Sequence, residues 1–226
     1  MNPLSGILGE AWKMYRTYAR HLLTLAFVVY VVAALLEALL AALLGVVGIL
    51  LASIVGLIAA FLLQAALVKA VDDVRDGRVD MSLGDTLQAA RPAVGRVAVA
   101  TILASIAIGI GLILVIAPGL YLLTIWCLIV PVLVLEGVGV GASFGRSRQL
   151  VRGFGWNVFG TIVAVFLVLI VVSIIIGLIL TPLPQSIGQA LSELISGILV
   201  APFLALVVTL GYFRLRAAHE TVPGPG

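Results

Sequence analysis

What this chain lacks most is charge. Asp, Glu, Lys and Arg make up 10% of its 226 residues, where soluble domains carry about 25%. A soluble fold would have too little polar surface to cover an apolar content of 63%, so lipid must solvate most of the chain. Cysteine is nearly absent as well. Cys127 is the single one; it can form no internal disulfide, has no Cys or His neighbour at metal spacing, and reads as a small buried apolar side chain. The two histidines, His21 and His219, stand at a membrane edge and in the tail with no triad or metal set around them. The four aspartates of DDVRDGRVD (72–80) do not alternate as an EF-type calcium loop requires, because Arg75 interrupts them; a solvated turn at Asp76-Gly77 fits better. These absences argue against catalytic residues, a metal and a cofactor, and the expectation is a protein that is not an enzyme. The sequence pI near 9.4 raises nucleic acid as a partner, but no aromatic-basic motif of that kind occurs.

What the chain has in abundance is long apolar runs. A helix crossing the hydrocarbon needs about 20 mainly apolar residues, and six stretches meet or approach that: 21–44, 46–68, 97–117, 119–135, 158–180 and 191–213. Pro131 is expected to distort the inner end of the fourth, a defect that neighbouring helices can mend. The connections alternate. LGVVG (44–48), APG (117–119) and TPLPQS (181–186) carry no charge, whereas all thirteen Lys and Arg fall in the other segments. Positive residues are retained in the cytosol, so both termini are expected inside. The first apolar run exceeds a secretory h-region and reads as an uncleaved first helix.

The expected architecture is all-α and polytopic: one integral membrane domain over 1–226, with six transmembrane helices as three hairpins. A pattern precedes each hairpin. GEAWKMYR (9–16), GDTLQAAR (84–91) and GRSRQLVR (145–152) each run Gly, six residues, Arg, which suggests an internal repeat of a short amphipathic helix plus two spans. Leu4, Ile7, Leu8, Ala11, Trp12 and Tyr15 keep helical spacing opposite Glu10, Lys13 and Arg16. Ser82-Leu-Gly-Asp85 reads as a capping box for the second such helix, and Pro92 is expected to end or bend it. Phe144, Val151 and Phe154 would be the apolar face of the third. Such helices suit the membrane interface, basic side toward anionic headgroups. Lys13, Arg16, Arg91, Arg146, Arg148 and Arg152 are therefore candidate contacts for the inner leaflet or a partner.

Within the spans, small residues recur every fourth position at Ala34-Ala38-Ala42, Ala52-Gly56-Ala60, Thr101-Ser105-Gly109 and Gly197-Ala201-Ala205, as helix seams in lipid require. An ionisable residue inside a span is a functional candidate by default. Glu37 is the clearest, and with Gln189 and Glu193 it could line an outward-facing cavity. Glu37 would lie about a third of the way in from the outer face, and no Asp, His, Lys or Arg sits at mid-membrane depth, which argues against a proton relay or charge-coupled transporter.

PGLYLLTIWCLIVPVLVLEG (118–137) followed by RSRQLVRGFGWNVFG (146–160) resembles the membrane domain attached to some bacterial glycerophosphodiester phosphodiesterases, which also occurs in stand-alone membrane proteins. The features that carry it are Pro118 to Tyr121, Pro131, Glu136-Gly137, Arg146-Ser147-Arg148, Leu150 to Gly153 and Trp156, with Arg75 to Arg78 in keeping. In that family the phosphodiester chemistry resides in a separate soluble domain with metal-binding acids and histidines. The sequence to Gly226 carries no such set, so the resemblance implies the membrane module alone.

The function expected is a non-enzymatic plasma-membrane module: a lipid-contacting scaffold, or an accessory partner of another envelope protein, with self-association as a further possibility. The alternative is a transporter or flippase-like carrier of a lipidic or small amphipathic substrate, using the Glu37 region.

Overall fold

The computed structural model describes residues 2–220, apart from the side chains at 185–187 and 190. Every regular element among them is helical: α1 Ile7–Thr17, α2 Ala19–Val74, α3 Leu83–Leu114, α4 Ile116–Trp126, α5 Ile129–Pro131, a π-helical turn Val132–Glu136, α6 Val140–Val151, α7 Gly155–Leu180 and α8 Gln185–Glu220. Five helical stretches are long and apolar enough to cross a membrane: Ala19–Val74, Leu83–Leu114, Ile116–Glu136, Gly155–Leu180 and Leu191–Glu220. The protein is an all-α, membrane-embedded chain.

The first stretch has 56 residues, which would reach about 84 Å if straight, far beyond a hydrocarbon core of about 30 Å. It does not run straight. Gly45 leaves the helical region at φ 55°, ψ −129°, a conformation that only glycine adopts readily. The chain doubles back there. A Cβ added at Gly48 would sit inside the backbone of Leu40, and one added at Gly56 would lie 2.6 Å from the Glu37 carboxylate. The Ala52-Gly56-Ala60 stripe faces inward as expected, with Gly48 continuing it, but Ala34, Ala38 and Ala42 face outward. Their place is taken by Ala26 and Ala33.

The turn between α3 and α4 lies at Val115, where the backbone is extended (φ −154°, ψ 129°), rather than at 117–119. Proline explains the shift: Pro118 is tolerated in the first turn of a helix, where no N–H partner is needed. Gly119 then falls against the preceding helix, and a Cβ on Gly111 would lie 3.0 Å from its Cα. The seam of α3 is Ala93, Val97, Ala100 and Ala104; the expected Thr101-Ser105-Gly109 row lies to one side, with Ser105 exposed.

The second amphipathic segment is not a separate helix. Pro92 lies inside one continuous helix from Leu83 to Leu114. That helix starts at the capping box: the Asp85 N–H donates to the Ser82 hydroxyl at 3.2 Å, and the Ser82 N–H donates to the Asp85 carboxylate at 3.3 Å. The first and third segments are separate helices. α1 ends at Tyr18, and α6 ends before a left-handed Gly153. Their apolar faces are turned onto protein. Ile7 and Ala11 are buried, Leu4 and Ile7 lie against Gly211 of α8, Tyr15 donates its hydroxyl to the Leu199 carbonyl at 3.1 Å, and Phe144 packs edge-on against Trp126. Burial also pushes the Tyr15 phenol up from its ordinary value. Tertiary packing competes with lipid for these faces and takes most of them, leaving Trp12 of α1 exposed.

α7 is the opposite case. Of its 26 residues only Val158, Val165 and Ile176 are buried, as befits a helix that is apolar all round and solvated by acyl chains.

Candidate functional site at the basic end

The irregular segment from Cys127 to Gly139 organises this end of the molecule. Pro131 has no N–H for the Cys127 carbonyl and its ring crowds it, and the helix breaks at Cys127–Leu128. Ser147, fully buried on α6, mends the break. Its hydroxyl donates to the Ile125 carbonyl at 2.7 Å and accepts the Leu128 N–H at 3.3 Å. Beyond Pro131 the chain forms the π-helical turn, and Gly137 terminates it with φ 67°. The Arg96 guanidinium of α3 donates to the Gly137 and Val138 carbonyls at 2.5 and 3.2 Å, a cation placed where a helix C-terminus is negative.

Glu136, the last residue of the turn, is the hub. Both its carboxylate oxygens accept from Arg146 Nε at 3.0 Å, and Oε1 also accepts from the Tyr212 hydroxyl of α8 at 2.9 Å. Arg216 donates weakly to the Tyr212 oxygen at 3.4 Å and, one turn on, to Glu220 at 2.9 Å. The Glu136 side chain is 17% exposed and that of Arg146 38%, so water screens the pair in part. Arg214 ties down the other flank, donating to the Pro3 and Ser5 carbonyls and pairing with Glu10. Arg75 lies 3.8 Å from the Phe213 ring centroid. Chemically, the assembly locks α3, α6, α8 and the N-terminal segment together.

Among the sequence-selected cations, Lys13, Arg16, Arg91, Arg148 and Arg152 are exposed, whereas Arg146 is half-buried on Glu136. Glu37 lies on Gly56. Gln189 and Glu193 are exposed. The Tyr30–Gly197 contact puts Glu37 about two helical turns and Glu193 about one turn beyond it, but no hydrogen bond joins the three among the described residues. Sequence reasoning reached Ser147 only through the stretch that carries the resemblance and Arg96 only as one of the clustered positive charges, gave neither a bonding role, and did not single out Tyr212. Among the described residues no group of three or more His, Cys, Asp or Glu could hold a metal ion.

Replacing Glu136 by Gln should lower stability by about 1–2 kcal/mol, since it weakens bonds to Arg146 and Tyr212 at a partly screened site. Unfolding followed by circular dichroism in detergent reads this directly; an unchanged midpoint would mean the hub holds nothing together.

Comparison of the chain with protein-family models, with curated proteins and with solved structures gives no match.

Proposed function

We propose that this protein is a non-enzymatic, lipid-contacting membrane module with a basic face toward the cytosol. The observation that carries the reading is the division of labour among its cations. Arg96, Arg146 and Arg214 are consumed by internal carbonyls and carboxylates, while Lys13, Arg16, Arg91, Arg148 and Arg152 are left exposed at or near the ends of the apolar helices. In this reading α2 crosses the membrane twice about Gly45, giving six spans with both termini inside, and the exposed cations meet anionic headgroups or an acidic partner surface. The apolar turns at 44–48 and 113–117 offer no charged group on the far side. The resemblance to the membrane module of glycerophosphodiester phosphodiesterases is in keeping with an accessory role, and the location proposed is the plasma membrane. The carrier alternative needs Glu37, Gln189 and Glu193 to converge, and no contact among the described residues favours it.

Each exposed cation near an anionic surface contributes about 1 kcal/mol. Changing Lys13, Arg16, Arg148 and Arg152 together to Gln should therefore abolish enrichment of phosphatidylglycerol over phosphatidylcholine in the lipid that copurifies with the protein. Equal enrichment in the variant and the parent would remove the basis of this reading.

A further inference from the structure

A cleft of about 320 Å³ opens between α4, α7 and α8, with the N-terminal segment closing one end. Away from the N-terminal segment its wall is hydrocarbon: Val165 and Leu169 from α7 and Val207 from α8, with Phe166 and Leu204 exposed at the rim. At the other end it shares Leu4, Ile7 and Thr161 with a second cavity of about 410 Å³. That second space has a different chemistry. Asn2, Asn157 and Thr161 line it beside Trp156 and Gly160, and no charged side chain lines it among the described residues.

The two spaces together have graded polarity along one helix. Trp156, Asn157, Gly160 and Thr161 of α7 line a partly polar, uncharged mouth beside the basic end, and residues within 162–169 line an apolar slot about 12 Å long. Such a gradient matches an amphiphile lying parallel to the bilayer normal, its head at the interface and its tail between helices. The wall is also built rather than incidental. Arg214 holds the Pro3 and Ser5 carbonyls, and these flank Leu4, the residue that faces both spaces. Gly211 contributes to the slot because it has no side chain; a Cβ there would already touch Ile7 at 3.6 Å.

The geometry points to a lipid-binding site that takes one acyl chain in the slot and an uncharged, hydroxyl- or ester-bearing head in the mouth. A monoacylglycerol satisfies both demands. The amides of Asn2 and Asn157 can donate to and accept from glycerol oxygens, whereas a phosphate would find no cation among the described residues of the lining to offset its desolvation. The inference rests on the membrane-embedded reading but not on the exposed cations, because Lys13, Arg16, Arg148 and Arg152 are absent from both linings. Loss of phosphatidylglycerol enrichment and loss of this site are thus separate results.

The test is photolabelling in phosphatidylcholine nanodiscs with a monoacylglycerol that carries a diazirine near the end of its tail. Label should map to residues 158–169 and 204–215, saturate at about one per chain, and be displaced by excess monooleoylglycerol. Thr161→Trp plugs the junction between the two spaces and should cut labelling at least tenfold; Thr161→Ser should leave it unchanged. If Thr161→Trp does not fold, Asn157→Leu serves instead, and should weaken displacement by monooleoylglycerol while the protein's melting midpoint stays put. Label spread over the exposed face of α7 without saturation would mean annular lipid only and would overturn the proposal. Displacement by phosphatidylglycerol as effective as that by monooleoylglycerol would overturn the assignment of an uncharged head.

Discussion

Gly48→Ala should force apart the two halves of α2 where they meet, at a cost of about 3 kcal/mol or more. The added methyl would occupy the space of the Leu40 carbonyl and approach the Ala41 Cα to 3.1 Å. Both are backbone, so no side-chain rotation can relieve the overlap, and overpacking of that kind costs about 1–3 kcal/mol even where side chains can adjust. Gly56→Ala provides the internal control. Its methyl meets the Glu37 carboxylate, the far end of a flexible chain that can swing away, so its effect should be several-fold smaller. Titration with a denaturing detergent, read by circular dichroism, separates the two variants. Equal midpoints for both would mean that the halves of α2 do not close on each other as described.

The second large effect is expected at Ser147. Alanine there strands the Leu128 N–H and the Ile125 carbonyl at a site closed to water. Each buried polar group left unpaired costs about 1–3 kcal/mol, so Ser147→Ala should destabilise the protein by about 2–5 kcal/mol. Ser143→Ala, one turn earlier on the same buried face, should do much less, because the Ser143 hydroxyl donates only to the Val140 carbonyl of its own helix at 2.6 Å. Backbone hydrogen exchange adds a readout that distinguishes cavity formation from loss of the mend. Protection should fall specifically at Leu128 in the Ser147 variant. Unaltered protection there would show that the broken turn is satisfied some other way.

These two sites mark the boundary of what could be read in one dimension. The apolar runs, the charge-free turns and the scarcity of ionisable residues follow from transfer free energies that act on each segment alone. For that reason the helical membrane class, and five of its long apolar stretches, were legible in the sequence. The capping box at Ser82 was legible too, since both partners lie within one turn. The turn at Gly45 fell within the charge-free LGVVG segment.

Contacts between distant segments were not legible. Arg146 reads as an interfacial cation until Glu136 and Tyr212, 10 and 76 residues from their bonded partners, are brought beside it. Ala34-Ala38-Ala42 has the spacing of a helix seam but points outward, because spacing fixes that residues share a face and not what covers that face. The apolar sides of α1 and α6 look suited to lipid, and whether lipid or protein covers them depends on which neighbour arrives first in space. Local physics therefore determined which stretches are long and apolar enough to cross a membrane, and the turn at Gly45, but not the turn at Val115. Only the tertiary structure decided which cations stay exposed, which serine repairs the helix broken before Pro131, and where a cleft opens between α4, α7 and α8.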